Sequence, residues 1–241
     1  MKSKRISAVL IAGALLGVGA ALPVNHVQAK TSGYKIVKHK KVSYLKPFKA
    51  SDYNGKKRYV KKGKMEFKAD EVKLTSNSAG AKKINKGLHA KYTSIWKLYK
   101  KEGKGAASSL KNSMFDSQTF KENVFYLVSQ KAHVFKSDNY FSVGYDNHIF
   151  YGQGNSWGQA VTYSLKTGKK LKFSDVLKGN SSQIKSKINK AQHGWDKSVV
   201  KAHKLGDFSF VVKGNKVYPV LEGNFGSTAM YHLYSPVRIE K

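Results

Sequence analysis

The spacing of apolar residues changes once along this chain, and the change limits the folds that the chain can adopt. Five apolar residues recur at intervals of three or four, as on the buried face of a helix: Ile84, Leu88, Tyr92, Ile95 and Tyr99. Lysines fill the other side of this helix, and we expect Gly103 and Gly105 to end it. From Phe120 onward the apolar residues alternate, which is typical of half-buried strands.

The alternating part of the sequence predicts several strands with short helices between them. Strands are expected over 124–135, 139–154 and 158–173, with a hairpin across Gly214-Asn215, a last strand at 230–239 and an earlier strand at 65–76 that breaks at Asp70-Glu71. Short helices are expected after an N-cap at Ser174 and over 181–192. The predicted fold class is therefore α+β: an antiparallel β meander with a long amphipathic helix and one or two shorter helices packed on one face.

Residues 1–29 have the composition of a secretory signal peptide. Three of the first five residues are basic, and an uninterrupted run of 17 apolar or small residues occupies 6–22. Small residues before the cleavage position predict a cut between Ala29 and Lys30. The alternative is an uncleaved membrane anchor, although 17 residues are at the short end of what crosses a bilayer. We expect a secreted protein that associates with the cell wall.

We divide the mature chain into two parts. Residues 30–69 are predicted to be a lysine-rich N-terminal arm or a few short strands, and residues 70–241 to be an α+β domain. No repeat with a period of 20–50 residues is visible, which disfavours solenoids and propellers. The chain has no cysteine, which excludes a disulfide scaffold, thiolate zinc sites and a cysteine nucleophile.

The chain is strongly basic, and its excess of positive charge comes from lysine. It has 45 Lys and Arg against 14 Asp and Glu, a formal net charge of +31, which becomes +28 once the three basic residues of the signal peptide are lost. The charge is densest at one run of candidate binding residues: Lys56, Lys57, Arg58, Lys61, Lys62 and Lys64. Lysine is a flexible point charge and lacks the planar fork with which arginine recognises guanine or grips phosphate. The composition therefore favours diffuse attraction to a polyanion.

Two classes of polyanion outside the cell fit this charge. They are the anionic wall polymers of a Gram-positive envelope and the anionic glycans of a host surface, whereas a specific nucleic-acid partner is not expected. The competing explanation is that the lysines only keep an exported protein solvated. The oligomeric state does not follow from the sequence.

The order of segments in the second half of the chain resembles a known family. Its most specific piece is the T-G-K-x-L-x-x-S-D-x-L motif at Thr167–Leu177, and the helix with Lys83-Ile84-Asn85 fits the same order. Over about residues 70–241 the chain is similar to the extracellular domain of RsiV-type anti-sigma factors. The same domain is found as the non-catalytic domain of some exported peptidoglycan deacetylases. The resemblance implies a non-enzymatic ectodomain, which binds lysozyme in the sensing members of the family.

The chain departs from that family in two ways. Only Met1–Arg5 precede the apolar run, whereas the sensors carry a cytoplasmic sigma-binding segment, so anti-sigma activity is not expected. The glycine-rich loop of the family carries a histidine, which is missing from the corresponding segment 152–158. Lysozyme is itself basic and would be repelled by a chain of this charge, so lysozyme binding is kept only as an alternative.

The residue patterns for catalysis and metal binding are weak. Residues 154–158 match the G-x-S-x-G nucleophile elbow, with Asp175 or Asp196 and His203 or His232 following in a suitable order. The elbow needs a helix after the serine, and a strand pattern follows here, so no catalytic residue is assigned and a wall hydrolase or esterase remains the alternative. The eight histidines contain no H-E-x-x-H spacing, so neither a metal site nor a cofactor is expected.

Aromatic residues around the segment 152–158 offer a second candidate binding site. Tyr151, Asn155, Trp157 and Tyr163 could form a platform for a sugar ring or a peptide. The competing explanation is that these aromatic residues belong to the core of the sheet. From the sequence we therefore expect an exported, non-enzymatic protein that binds anionic polymers, with a cell-wall enzyme and a lysozyme-binding sensor or inhibitor as the alternatives.

Overall fold

The computed structural model describes residues 24–27, 33–110, 113–152, 154–223 and 231–241, and it shows an α+β fold. The largest sheet, called the main sheet below, has six strands. In spatial order these are β1 (Val24–Val27), β2 (Tyr34–Tyr44), β5 (Lys64–Leu74), β7 (Val124–Lys136), β8 (Tyr140–Phe150) and β9 (Gly154–Ser164).

Two smaller sheets and five helices complete the described part of the chain. In one small sheet β3 (Phe48–Asp52) lies between β4 (Lys57–Val60) and β6 (Met114–Phe115), and in the other β11 (Lys216–Leu221) lies between β10 (Phe208–Lys213) and β12 (Val237–Arg238). The helices are α1 (Ala79–Ser109), α2 (Ser117–Glu122), α3 (Phe173–Val176), α4 (Ser181–Ala191) and α5 (Gly194–Ala202), with a 3-10 turn at Leu205–Asp207.

Helix α1 contains the apolar residues that recur at helical spacing, and all five of them are buried. It begins after Ser78, whose hydroxyl accepts a backbone hydrogen bond from the first turn. The expected end at Gly103 and Gly105 is wrong, because the helix continues beyond both glycines. At Gly103 an added Cβ would lie 2.7 Å from the sulfur of Met65, so this glycine permits close packing of the helix on β5.

The main sheet is an antiparallel meander only in part. Strands β7, β8 and β9 are antiparallel neighbours, as expected. Strands β5 and β7 pair in parallel, with Phe67 opposite Val128, and α1 lies between these two strands in the chain. This parallel pairing ends at Ala69, and Asp70 Oδ2 instead accepts a hydrogen bond from the Ala132 amide at 3.0 Å. Strand β5 nevertheless runs without interruption from Lys64 to Leu74, and its ladder with β2 continues through Asp70 and Glu71, so the predicted break at Asp70-Glu71 is wrong.

The helices lie on both sides of the main sheet, so the expectation that they pack on one face is wrong. Helix α1 covers one face, where Ile84 belongs to the same buried cluster as Phe141 of β8. The other face carries β10 and β11, where Ala160 of β9 packs with Val211 and Val220. Helices α3, α4 and α5 pack with those two strands in a further cluster. Strands β8 and β9 are consequently buried on both faces, which a simple alternation does not indicate.

Residues 33–69 contain strands β2, β3 and β4 and the first part of β5. Strand β2 pairs with β5 along its whole length, from Tyr34 opposite Leu74 to Tyr44 opposite Lys64. The boundary between 69 and 70 falls inside β5 and inside that ladder. Strand β1 belongs to the segment expected to be the signal peptide, and the predicted cleavage residues Ala29 and Lys30 lie outside the described residues.

Several local expectations can be compared with the structure. The hairpin across Gly214-Asn215 is confirmed, since Lys213 pairs with Lys216. The N-cap at Ser174 is wrong, because α3 begins at Phe173 and its cap position is Lys172, two residues before Ser174. Helices α2 and α5 are not among the predicted elements, since each has a single buried residue and so too short an apolar pattern.

Candidate functional site

The hairpin formed by β3 and β4 is built around the side chain of Asp52. Its Oδ1 accepts hydrogen bonds from the amides of Asn54 and Lys56, at 3.0 Å and 2.9 Å. Its Oδ2 accepts one from Arg58 Nη2 at 3.2 Å, and Gly55 supplies the positive φ of the turn. Burial acts to raise the pKa of Asp52, but these donors hold it below its usual value. The acid therefore fixes the shape of the hairpin.

Arg58 belongs to the framework of this hairpin. It is the cross-strand partner of Ala50, so the two side chains lie on the same side of the small sheet. Because Ala50 is buried, this is the inner side. Its guanidinium carbon lies 4.9 Å from the centre of the Phe120 ring, in addition to the contact with Asp52. One of the six basic residues in the predicted cluster, Arg58, thus stabilises the hairpin itself.

The five lysines of the predicted cluster keep their ammonium groups near solvent. Four are exposed and Lys64, which donates a hydrogen bond to the Glu122 carbonyl at 3.1 Å, is half-buried; the four exposed lysines are Lys56, Lys57, Lys61 and Lys62. Lys62 lies 4.5 Å above the ring of Tyr44. Within the described residues none of the five has a carboxylate oxygen within 4.0 Å. Their charges are therefore not neutralised by short ion pairs.

The outer side of the small sheet combines lysines with large exposed side chains. Lys49 lies opposite Tyr59, Ser51 lies opposite Lys57, and Met114 of β6 is the other neighbour of Ser51. Tyr59 is 61% exposed and Met114 is 52% exposed. We call these five residues the hairpin face. It places two ammonium groups beside an aromatic ring and a thioether on one solvent-facing surface.

The sequence analysis missed Lys49 and Met114 as members of this surface. Lys49 lies outside the dense run of charge, and Met114 comes from a strand of two residues. A signal for Lys49 was present in the alternation of β3, where Phe48 and Ala50 are buried and the residue between them must point outward. No comparable signal identifies Met114, because its place depends on a pairing between distant strands.

The aromatic candidates do not form a platform on a loop. Tyr151 is half-buried in the β8–β9 turn, and its hydroxyl lies 3.5 Å from Asn155 Nδ2. Asn155 and Trp157 belong to β9, and Trp157 is half-buried against the core. Tyr163 is buried beneath α1, and burial raises its pKa. Segment 152–158 is therefore mostly strand rather than a glycine-rich loop, with residue 153 outside the described part.

Ser156 of the G-x-S-x-G segment lies within strand β9, near its start. Its Oγ is 2.9 Å from Nδ1 of His148, its cross-strand neighbour on β8. Burial lowers the pKa of His148, and Asp146 acts against this shift. In the described residues the expected acids pair elsewhere: Asp175 with Lys169, and Asp196 with His232. A serine–histidine contact is present, but a strand continues after the serine where a nucleophile elbow requires a helix.

A buried carboxylate cluster is the strongest electrostatic feature that the sequence analysis missed. Glu71 is 2% exposed; its Oε2 lies 2.9 Å from His39 Nε2 and 3.1 Å from Lys73 Nζ, and its Oε1 lies 2.8 Å from His89 Nδ1. The His39 ring stacks on Tyr92 at 4.3 Å between ring centres. Burial opposes ionisation, but the hydrogen bonds from these partners lower the pKa of Glu71 to about 2.

Two negative findings apply to the described ranges alone. They contain no group of three or more histidine, aspartate or glutamate side chains that could hold a metal ion. They also contain no helix that is both long enough and apolar enough to cross a membrane.

No protein-family model matches the chain, and no curated protein matches it. Solved structures are similar to it. A DUF3298 family member from Bacteroides fragilis is 13% identical, with 63% of this chain and 67% of that chain covered and a TM-score of 0.39. A DUF3298 family protein from Pseudomonas aeruginosa is 11% identical, with 81% of this chain and 89% of that chain covered and a TM-score of 0.39. The structural neighbours of this chain are thus DUF3298 family proteins, at a level of likeness that assigns it no function.

Proposed function

We propose that this protein is an exported, non-enzymatic binding protein that captures anionic polymers of the cell envelope through its hairpin face. One observation carries the proposal: Lys49 and Lys57 lie on the same solvent-facing surface as Tyr59, and neither lysine has a carboxylate within 4.0 Å in the described residues. A surface that serves only solubility has no need of large exposed side chains beside its charges.

The physical mechanism has two parts. The net charge of the exported chain, +28 after loss of the three basic residues of the signal peptide, attracts a polyanion over a distance of about one Debye length, roughly 8–10 Å at physiological salt. At contact, exposed rings can pack on the backbone or sugar faces of the polymer, and two further tyrosines near the hairpin, Tyr53 and Tyr44, are 64% and 55% exposed. The lysines provide attraction, and the tyrosines provide an interaction that salt does not screen.

The proposed location is outside the cell, at the wall of a Gram-positive bacterium. The signal-like segment 1–29 supports export, and the resemblance to RsiV-type extracellular domains supports a non-enzymatic ectodomain. A wall polymer rich in phosphodiesters is the preferred partner because it is present wherever such a protein emerges, and host glycans are the second choice.

Binding of the full chain to purified Gram-positive cell walls tests this function. The test variant is Lys49→Gln with Lys57→Gln, and the matched control is Lys213→Gln with Lys216→Gln, an exposed lysine pair on the β10–β11 hairpin. We expect the test variant to bind about tenfold more weakly than the control, and its salt dependence to be lower by about two counterions. Equal losses in both variants would show that total charge, and not the hairpin face, governs binding.

Two additional measurements address the remaining alternatives. The contact between Ser156 and His148 is the observation that favours an esterase or wall hydrolase, so Ser156→Ala should be compared with the unchanged chain on labelled peptidoglycan and on an acetyl ester. Turnover that disappears in the variant would replace the binding function with an enzymatic one. Capture of the chain on immobilised lysozyme at physiological salt would support the third alternative, a lysozyme-binding sensor or inhibitor.

A further inference from the structure

A small cavity of about 200 Å³ lies between α1 and three strands of the main sheet, β7, β8 and β9. Its volume is below the roughly 300–1,000 Å³ of sites for drug-sized ligands, so it suits a unit no larger than one sugar ring. Helix α1 contributes Lys91, Ser94, Ile95 and Leu98, and the strands contribute Gln130, Asn147, Trp157 and Gln159. None of these residues belongs to the hairpin face.

The floor of the cavity contains a buried acceptor that lacks a donor. Gln130 is 5% exposed, and its Nε2 donates a hydrogen bond to Asn147 Oδ1 at 2.9 Å. Asn147 in turn donates to the Trp157 carbonyl at 3.3 Å. Among the described residues, the Oε1 atom of Gln130 has no hydrogen-bond partner. A buried polar atom left in this state costs about 1–3 kcal/mol, so a hydroxyl group entering the cavity would relieve that cost.

Two polar residues of this cavity, Gln130 and Asn147, occupy strand positions at which an apolar side chain is expected. Gln130 continues the row of Val128 and Ala132 on β7, and Asn147 continues the row of Tyr145 and Ile149 on β8. Both rows face α1 and are otherwise apolar. Amides in such rows lower the stability of a core, which favours a role in binding.

The walls of the cavity supply an aromatic ring and a cation. Trp157 is half-buried, and an indole ring beside amide groups is a suitable surface for the apolar face of a sugar. Lys91 is half-buried at the cavity and has no carboxylate within 4.0 Å in the described residues. An acidic substituent on the ligand would pair with this ammonium group.

We propose that this cavity binds a single sugar ring that carries an acidic substituent. Gln130 Oε1 accepts a hydrogen bond from a ring hydroxyl, Trp157 packs on the ring, and Lys91 pairs with the acid. The site is separate from the hairpin face and goes beyond the proposed capture of polymers. It would give the protein a preference for polymers that contain acidic sugars.

Titration of tryptophan fluorescence in the full chain tests this site, with Trp195→Phe as background because that residue is 73% exposed. The probes are glucuronate, glucose and inorganic phosphate. We expect glucuronate to bind at least five times more tightly than glucose, and phosphate to produce no change. Phosphate that displaces glucuronate at equal concentration would indicate a simple anion site and would overturn the proposal.

Substitutions then separate the contributions of the residues. Lys91→Gln should bring the affinity for glucuronate down to that for glucose, whereas Lys97→Gln, an exposed lysine of the same helix, should leave it unchanged. Gln130→Leu should weaken both sugars about tenfold. Should that variant unfold, Gln159→Ala, at a half-exposed position, should weaken both as well.

The two proposed functions can fail separately. The hairpin-face variant with Gln at positions 49 and 57 should lose binding to walls and retain binding of glucuronate. Loss of both activities in that variant would place glucuronate on the hairpin face and refute the cavity as its site. If the hairpin-face variant loses only wall binding, Lys91→Gln decides the cavity proposal. That variant must abolish the preference for glucuronate over glucose.

Discussion

Replacement of Glu71 by glutamine should destabilise the protein at neutral pH and have a smaller effect at pH 3. The carboxylate is 2% exposed and contacts His39, His89 and Lys73. Its pKa is lowered from 4.5 to about 2 in the folded protein. At about 1.4 kcal/mol per pKa unit, the shift corresponds to about 3 kcal/mol of stability at pH 7.

The sign of the pH dependence follows from the direction of this shift. The pKa in the folded state is below the unfolded value, so the unfolded chain takes up the proton first as the pH falls. The stabilisation is fully present above about pH 5 and is lost progressively between the unfolded pKa and the folded value of about 2. The glutamine variant cannot titrate at this position, so its stability lacks this contribution at every pH.

Urea denaturation of both chains at pH 7, 5 and 3, followed by circular dichroism, measures the effect. We expect a difference in the free energy of unfolding of about 3 kcal/mol at pH 7, with a smaller gap at pH 3. The control is Glu102→Gln, at an exposed position of α1, which should change stability by less than about 0.5 kcal/mol. A gap of the same size at pH 3 and pH 7 would show that the charge of Glu71 is not its source.

Two further predictions concern packing around α1. Gly87→Ala should destabilise the protein by about 1–3 kcal/mol, because an added Cβ would overlap the Tyr163 hydroxyl. Gly105→Ala, in the same helix with open space around the added atom, should stabilise it by about 0.5–1 kcal/mol; thermal denaturation of both variants tests the pair, and equal shifts would contradict the close contact. Phe141→Ala should cost about 3–5 kcal/mol in urea denaturation, since the ring is fully buried and packs edge-on against Tyr34; a loss below 1 kcal/mol would contradict the assignment of this residue to the core.

The elements that the sequence predicts well are those whose pattern is local. The residues Ile84 to Tyr99 mark α1, and Phe208, Phe210 and Val212 mark one buried side of β10. In both, spacing along the chain decides which side chains share a face. The parallel pairing of β5 with β7 has no such signature, since alternation indicates the buried face and not the neighbouring strand.

The candidate sites depend mainly on contacts between distant residues, which explains why the sequence identifies them poorly. His39 is 32 positions from Glu71, and His89 is 18 positions from it. Gln130 and Asn147 did leave a signal, because each interrupts an apolar row of its strand. A polar residue in an otherwise apolar row is therefore the local signal in the sequence that marks this cavity.

In the lysine-rich run at 56–64, the number of charges does not indicate which side chains are available to a ligand. Counting charge gives equal weight to every basic residue from 56 to 64, yet two neighbours, Lys57 and Arg58, lie on opposite sides of the small sheet. Because side chains alternate along a strand, Lys57 points to solvent and Arg58 points to the inner side, where it contacts Asp52 and Phe120. Substitution of Arg58 would therefore weaken the hairpin that presents the surface, and a loss of binding in that variant would not identify a ligand contact. Lys49, outside the run, reports on the surface more directly because it points outward opposite Tyr59.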